Sequence, residues 1–320
     1  VIQPDGRVLV SGSTLKDAAT CTLADVLRHG YARTTPDESG RRTCGSAVHV
    51  AIAAYLSALP AAGPQRAAAT ALAAFDAAYC AWSARHCLPE EWIGRDGQAM
   101  LTPNPRRWEN VRVILAEWLD AHRTLDYEVL PETIEGDFRV ELAPGVDYRV
   151  RTDAIVRQGG VLWVHDTKTT GRLDANFWRQ WVMDATLTGY VWAAERRYGV
   201  RVAGVLIQGI QIAEVPRSTR MCKGHGMAYA DCGHLHVKWE QRTFPRSPQD
   251  VVQWVCDAQA MAQRHAASMP SSASDRVPLA DAPATGKFHN ACRWCDFFRY
   301  CEAGRPIERL HEMTVTVEAH

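Results

Sequence analysis

Apolar residues between Ser46 and Leu59 recur at helical spacing, so that Val48, Ile52, Tyr55, Leu56 and Leu59 share one face. Arg106 to His122 repeats the pattern with Trp108, Val111, Ile114, Leu115 and Trp118, and the alanine-rich stretch Ala67 to Ala81 also reads as helix. After Leu125 the texture changes. YEVLPE, DFRVELAPG, YRVRTDAIV and GVLWVHDTK are short runs rich in strand formers and punctuated by Pro and Gly, which predicts a meander of strands. Asp174 to Tyr198 returns to helix, Val202 to Ile212 reads as a buried strand, Leu235 to Glu240 as another, and Pro248 to Ala267 as a helix. Helices, a strand block, then strand and helix predict an α/β sheet with helical cover.

Composition narrows the class. At 320 residues and 47% hydrophobic the chain can bury a full core but holds one or two domains at most. Lys plus Arg and Asp plus Glu both number 36, which argues against a protein that coats nucleic acid through bulk charge and leaves room for a local basic groove. No run of eighteen apolar residues occurs and the first residues lack a basic, apolar, small-residue leader. The expectation is a soluble cytoplasmic protein with no membrane partner. Ten cysteines in such a compartment read as metal ligands where they cluster, not as disulfides.

The sharpest chemistry lies in the strand block. Asp153 stands in RTDAIV, and Asp166 with Lys168 in WVHDTKTT. Residues two apart on a strand face the same side, so Asp166 and Lys168 share a pocket while Thr167 points away. The preceding strand can deliver Asp153 beside them. Two converging carboxylates form a hard-oxygen site suited to Mg2+ or Mn2+. Such a cation activates water for in-line attack on phosphorus, and Lys168 can hold that water or neutralise charge on the phosphate. The apolar run VLWVH would place Asp166 at the end of a buried strand, where an unpaired charge is costly and a cation relieves the cost.

With its D-x-K-T ending, TDAIVRQGGVLWVHDTKTT resembles the RecB-like branch of the PD-(D/E)XK nucleases. The resemblance runs from about Ser11 to Cys301. It implies a restriction-endonuclease-like core with a central mixed β-sheet flanked by helices, in a single domain over residues 1–310 followed by a tail at 311–320. That branch carries a G-x-x-x-H pattern on an early helix, matched here by GSAVH, so His49 is implied as the fourth active-site member and a metal ligand beside Asp153 and Asp166. The family's Q-x-x-x-Y helix is matched by Tyr190, a substrate-positioning residue by resemblance, but Thr186 stands where Gln would be. An additional acidic residue on the strand before Asp153 has two candidates, Glu128 and Glu132.

Near the end, Cys292, Cys295 and Cys301 form a C-x2-C-x5-C array, whose chemistry suits either a cubane iron-sulfur cluster or tetrahedral zinc once a fourth ligand is supplied. Iron-sulfur members of the same branch, including AddB-type subunits and CRISPR-associated exonucleases, place one cysteine before the nuclease core and three after it. By that resemblance Cys21, in STLKDAATC, is the first ligand of a 4Fe-4S cluster, with Cys44 the competitor, and the segments 11–30 and 288–304 are stapled together by it. Cys80, Cys87 and Cys256 lie on or near helices without partners and read as core. MCKGHGMAYADCGHLHV adds Cys222, His225, Cys232, His234 and His236, a candidate zinc site in a loop, although its spacing matches no common zinc finger and suits a substrate-facing flap equally well.

Arg217, Arg220 and Lys223 follow Pro216, and Arg172 and Arg179 lie near Trp178 and Trp181, a mixture suited to gripping and stacking a strand or to a solvated face over inward tryptophans. The expectation is an exonuclease acting on single-stranded DNA or DNA ends, in a bacterial, archaeal or phage-infected cell. The alternatives are a DNA-binding or scaffold protein that has lost catalysis, and a nuclease subunit beside a helicase or CRISPR-type partner. The chain has no G-x-x-x-x-G-K-[ST] loop of its own to drive a motor.

Overall fold

A computed structural model describes residues 5–34, 41–83, 91–93, 99–103, 106–212, 238–269, 292, 295, 297–302 and 315–316. Among these the strands are β1 (Val8–Val10), β2 (Arg33–Thr34), β3 (Glu91–Ile93), β4 (Ala99–Pro103), β5 (Glu128–Val129), β6 (Gly136–Ala143), β7 (Val146–Thr152), β8 (Ala154–Gln158), β9 (Val161–Thr170), β10 (Gly204–Gln211), β11 (Trp239–Pro245) and β12 (Val315–Thr316). The helices are α1 (Gly12–Thr20), α2 (Thr22–Asp25), α3 (Arg41–Ser83), α4 (Trp108–Ala121), α5 (Ala175–Arg179), α6 (Ala185–Tyr198), α7 (Pro248–Ser268) and α8 (Phe298–Glu302).

The central sheet runs in the order β11-β10-β9-β8-β5 and is mixed: β9 and β10 are parallel, and the remaining neighbours antiparallel. A second sheet, β1-β7-β6, sets β1 parallel to β7 and β7 antiparallel to β6. The α/β class with a mixed sheet flanked by helices is therefore as expected, consistent with a restriction-endonuclease-like core. One core packs Val150, Ile155, Val164 and Val205 against Val191 of α6 and Trp254 of α7. The other packs Ala154, Val156, Leu206 and Ile210 against α3 and α4 through Val48, Ile52, Tyr55, Ile114 and Trp118. The helical stripes read along α3 and α4 are thus the faces that meet the sheet.

Three departures bear on the site. YRVRTDAIV is not one strand: β7 ends at Thr152 and β8 begins at Ala154, so at Asp153 the chain leaves one sheet and joins the other. Asp166 is not at a strand end, because β9 continues to Thr170. Asp174 to Tyr198 is helical in two pieces, α5 and α6. Asp174 caps α5 through the N–H groups of Asn176 and Phe177, and Asp184 restarts the chain as the cap of α6, accepting the Leu187 N–H at 2.9 Å. A second N-cap residue inside one periodic run is enough to split it.

Elsewhere, the strand expected at Leu235 to Glu240 is found at Trp239–Pro245, with 235–237 outside the described residues. The stretch Cys44–Ala81 is long and apolar enough by length and composition to cross a membrane. It is broken at Gly63, whose φ of 75° lies between Pro60 and Pro64, and its N-terminal leg packs on the sheet. The residues at the chain's far end also contribute, since Val315 and Thr316 pair antiparallel with Thr34 and Arg33.

Candidate active site

Asp153 is held by its position between two sheets. Its Oδ2 accepts the backbone N–H of Thr167 at 2.6 Å, and its backbone carbonyl accepts the N–H of Glu135 at 2.8 Å. The β8–β9 ladder ends at the pair Ala154–His165, so the carboxylate fills the next vacant rung of β9. His49 arrives from α3, where Gly45 faces Thr169 of β9, and its Nδ1 lies 3.0 Å from Asp153 Oδ1. On β9, Lys168 Nζ lies 2.6 Å from Asp166 Oδ2. Residues 104 positions apart in the chain are thereby hydrogen-bonded.

The electrostatics follow from the burial. Asp166 is buried at 4% exposure, and this desolvation, with the neighbouring Asp153 charge, holds its carboxyl above the usual range against the pull of Lys168. Burial acts on Asp153 in the same direction, but His49, Lys168 and the Thr167 N–H outweigh it and hold this carboxyl below the usual range. Burial alone would lower Lys168 and His49, yet Asp166 and Asp153 raise the first and Asp153 raises the second. Tyr190 on α6 senses the same charges, and burial followed by Asp166 pushes its phenol up to about 12.

A carboxylate that the sequence reading missed completes the group. His49, Glu135 and Asp153 each offer one ligand atom, all within 4.8 Å of one another. Glu135 has a φ of 50°, a left-handed conformation that costs a non-glycine residue roughly 1–2 kcal/mol. Its carboxylate also takes the Arg151 guanidinium at 2.7 Å. Glu128 and Glu132 are not part of this cluster: Glu128 pairs with Arg157 at 2.6 Å in solvent, and Glu132 is exposed. The only sequence mark of Glu135 was its place in a turn, before Gly136.

Imidazole plus carboxylates, half-buried and converging, is a donor set that fits a divalent cation of the Mg2+ or Mn2+ type. Asp166, drawn onto Lys168 with a raised proton affinity, is the group whose ionised form such a cation would favour.

Thr186, the departure from the Q-x-x-x-Y pattern, lies at the start of α6 against the N-terminus of α1. A Cβ built on Gly12 would come within 2.4 Å of its Cγ2, so helix contact occupies this position. Of the two tryptophans read as either a stacking platform or inward packing, only Trp178 is buried. Trp178 is buried under the Arg242 guanidinium, 4.7 Å from its ring centroid, and half-buried Trp181 lies 5.6 Å from Lys168 Nζ. Arg172 and Arg179 are exposed.

Cys21, Leu23, Leu27, Phe297 and Tyr300 form one buried apolar cluster, with Cys295 and Cys301 packed against it. The first and last thirds of the chain therefore meet around thiols, with the Cys292 carbonyl accepting the Cys295 N–H at 3.2 Å. Cys44 belongs to a different core, under α4. Cys80 and Cys256 are exposed, not core, because each falls on the solvent side of its helix. Cys87, Cys222, His225, Cys232, His234, His236, Pro216, Arg217, Arg220 and Lys223 lie outside the described residues.

A comparison with curated proteins finds no matching relative. The family model described as the PD-(D/E)XK nuclease superfamily matches residues 9–302, a span that takes in His49, Asp153, Asp166, Lys168 and all the candidate ligand cysteines. On that match over most of its length, the chain belongs to the PD-(D/E)XK nuclease superfamily.

Proposed function

We propose that this chain is a divalent-cation-dependent deoxyribonuclease of the RecB-like branch that acts in the cytoplasm as an exonuclease on single-stranded DNA or DNA ends. The observation that carries the reading is the meeting of His49, Glu135 and Asp153 around one point, with Asp166 and Lys168 on the adjoining strand. His49, Asp153 and Asp166 would hold the cation, with Glu135 joining them. A bound Mg2+ or Mn2+ supplies Lewis-acid polarisation of the phosphodiester and acidifies water for attack on phosphorus.

The protein's own groups do the rest. Lys168 stays charged beside Asp166 and presents a fixed positive head to the scissile phosphate, where negative charge grows. Asp153 is locked by the Thr167 N–H, so its second oxygen keeps a fixed direction. His49 hydrogen-bonds the other Asp153 oxygen, Oδ1. Tyr190, close enough to feel both Asp166 and Lys168, positions the substrate.

We further propose that Cys21, Cys292, Cys295 and Cys301 hold a 4Fe-4S cluster with a stapling role, supported by the packing of three of these thiols on one apolar cluster. The competing reading, a DNA-binding or scaffold protein without catalysis, draws on Thr186. The two separate in one assay: end-labelled single-stranded, double-stranded and circular DNA incubated with Mg2+, Mn2+ or chelator, for wild type and Lys168→Ala. Release of short products from linear DNA by wild type alone, with circles spared, is the expected result. Equal activity in the two proteins would remove the mechanism, and cleavage of circles would make the enzyme an endonuclease.

A further inference from the structure

The turn between α5 and α6 carries two adjacent apolar side chains in solvent, Val182 at 50% and Met183 at 82% exposure. Single exposed apolar residues are ordinary. These two are neighbours on a rigid support. The buried Arg246 guanidinium donates to the Trp181 carbonyl at 2.9 Å and to Thr188 Oγ1 at 2.9 Å, tying the turn to α6. The Val182 N–H donates to the Arg179 carbonyl at 3.3 Å, and Asp184 starts the next helix.

The place matters as much as the exposure. Trp181, the residue before Val182, lies 5.6 Å from Lys168 Nζ. Two residues span at most about 7 Å of backbone, so Val182 and Met183 belong to the short segment that borders Lys168 through the Trp181 ring. Exposed Arg179, three positions earlier, supplies a cation on the same turn for the strand's backbone. Trp178 is buried and offers bases no open face, and Trp181 is half-buried with Lys168 over its ring.

We propose that Val182 and Met183 form an apolar step on which a nucleobase of the substrate strand packs, next to the phosphodiester being cut. This rests on the nuclease reading and adds a specificity element to it. An unstacked base finds cover on the step, whereas a base locked in duplex does not, so the step favours single strands and frayed ends.

The test uses the full-length chain carrying Val182→Ser with Met183→Ser, and single-stranded oligonucleotides with one abasic residue moved stepwise from the end. Both side chains are exposed, so the double variant should melt with wild type. On fully based DNA the variant is expected to show a KM raised about tenfold, with the loss falling on KM and not on kcat. Wild type should lose a similar factor when the abasic residue occupies one particular position, and the variant should be indifferent there. A variant with wild-type KM, or one still sensitive to that abasic position, overturns the step while leaving the nuclease reading intact. A variant that changes oligomeric state without changing the abasic response assigns the surface to a second copy of the chain, and also overturns it. A wild type that neither binds nor cuts DNA with Mg2+ or Mn2+ defeats the underlying reading.

Discussion

Asp153 Oδ2 accepts the Thr167 backbone N–H at 2.6 Å, a side chain standing where a strand would otherwise continue. The carboxylate therefore has two separable duties, closing the ladder and, in the proposed mechanism, binding a cation. Asn keeps an acceptor for Thr167 but removes the charge, whereas Ala leaves a buried donor unpaired at a cost of about 1–3 kcal/mol. Asp153→Asn is expected to unfold in urea near the wild-type midpoint while losing cleavage. Asp153→Ala should lose both. Wild-type stability in Asp153→Ala would show that the ladder contact contributes nothing.

Glu135 sits in a strained backbone conformation beside His49 and Asp153. Glycine relaxes that strain but adds unfolded-state entropy of about 0.5–1 kcal/mol, so the two effects nearly offset. Glu135→Gly is expected to keep stability within about 1 kcal/mol and to weaken Mn2+ binding on the order of tenfold or more. Calorimetric titration with Mn2+ reads this directly, and unchanged affinity would exclude Glu135 from the cation's neighbours.

Much of this arrangement was readable from the chain. The alternation along WVHDTKTT put Asp166 and Lys168 on one face, and the stripe through Val48 and Ile52 placed α3 against the sheet. What escaped were features made by long-range geometry or by a single cap. Glu135 acquires its place through a turn whose φ no periodicity encodes, and Asp184 interrupts an otherwise helical run by accepting one N–H. The inward turn of Trp178 depends on Arg242 and Phe244, distant in sequence and adjacent in the sheet.

His165, fully buried next to Asp166, has no partner on Nδ1 among the described residues, and burial pushes its imidazole down to about 4. An unfolded histidine titrates near about 6.5, so in that interval the unfolded chain binds the extra proton. Stability should then fall as pH drops through about 6.5 towards about 4, by roughly 2 kcal/mol between about pH 7 and about pH 5. His165→Leu, compared with wild type by urea unfolding at the two pH values, should lack this part of the loss. Parallel declines in both proteins would assign the acid sensitivity elsewhere.

The thiols around Leu23, Leu27, Phe297 and Tyr300 make a spectroscopic prediction. Chain purified without oxygen should be brown, with broad visible absorbance and iron in the protein. Cys301→Ser should lose the colour and melt at a lower temperature, because the staple between the chain's ends is cut. A colourless wild type carrying zinc would replace the cluster with the alternative metal.

The crossing at Asp153 has a last consequence, for the order in which the protein becomes dangerous. His49, Glu135, Asp153, Asp166 and Lys168 all precede β10, yet β9 gains its parallel neighbour only when Gly204–Gln211 docks. Parallel, non-local pairing is a slow event in folding. A nascent chain thus carries all five of these side chains before the central sheet is complete, and on the proposed mechanism cleavage waits until β10 has docked on β9.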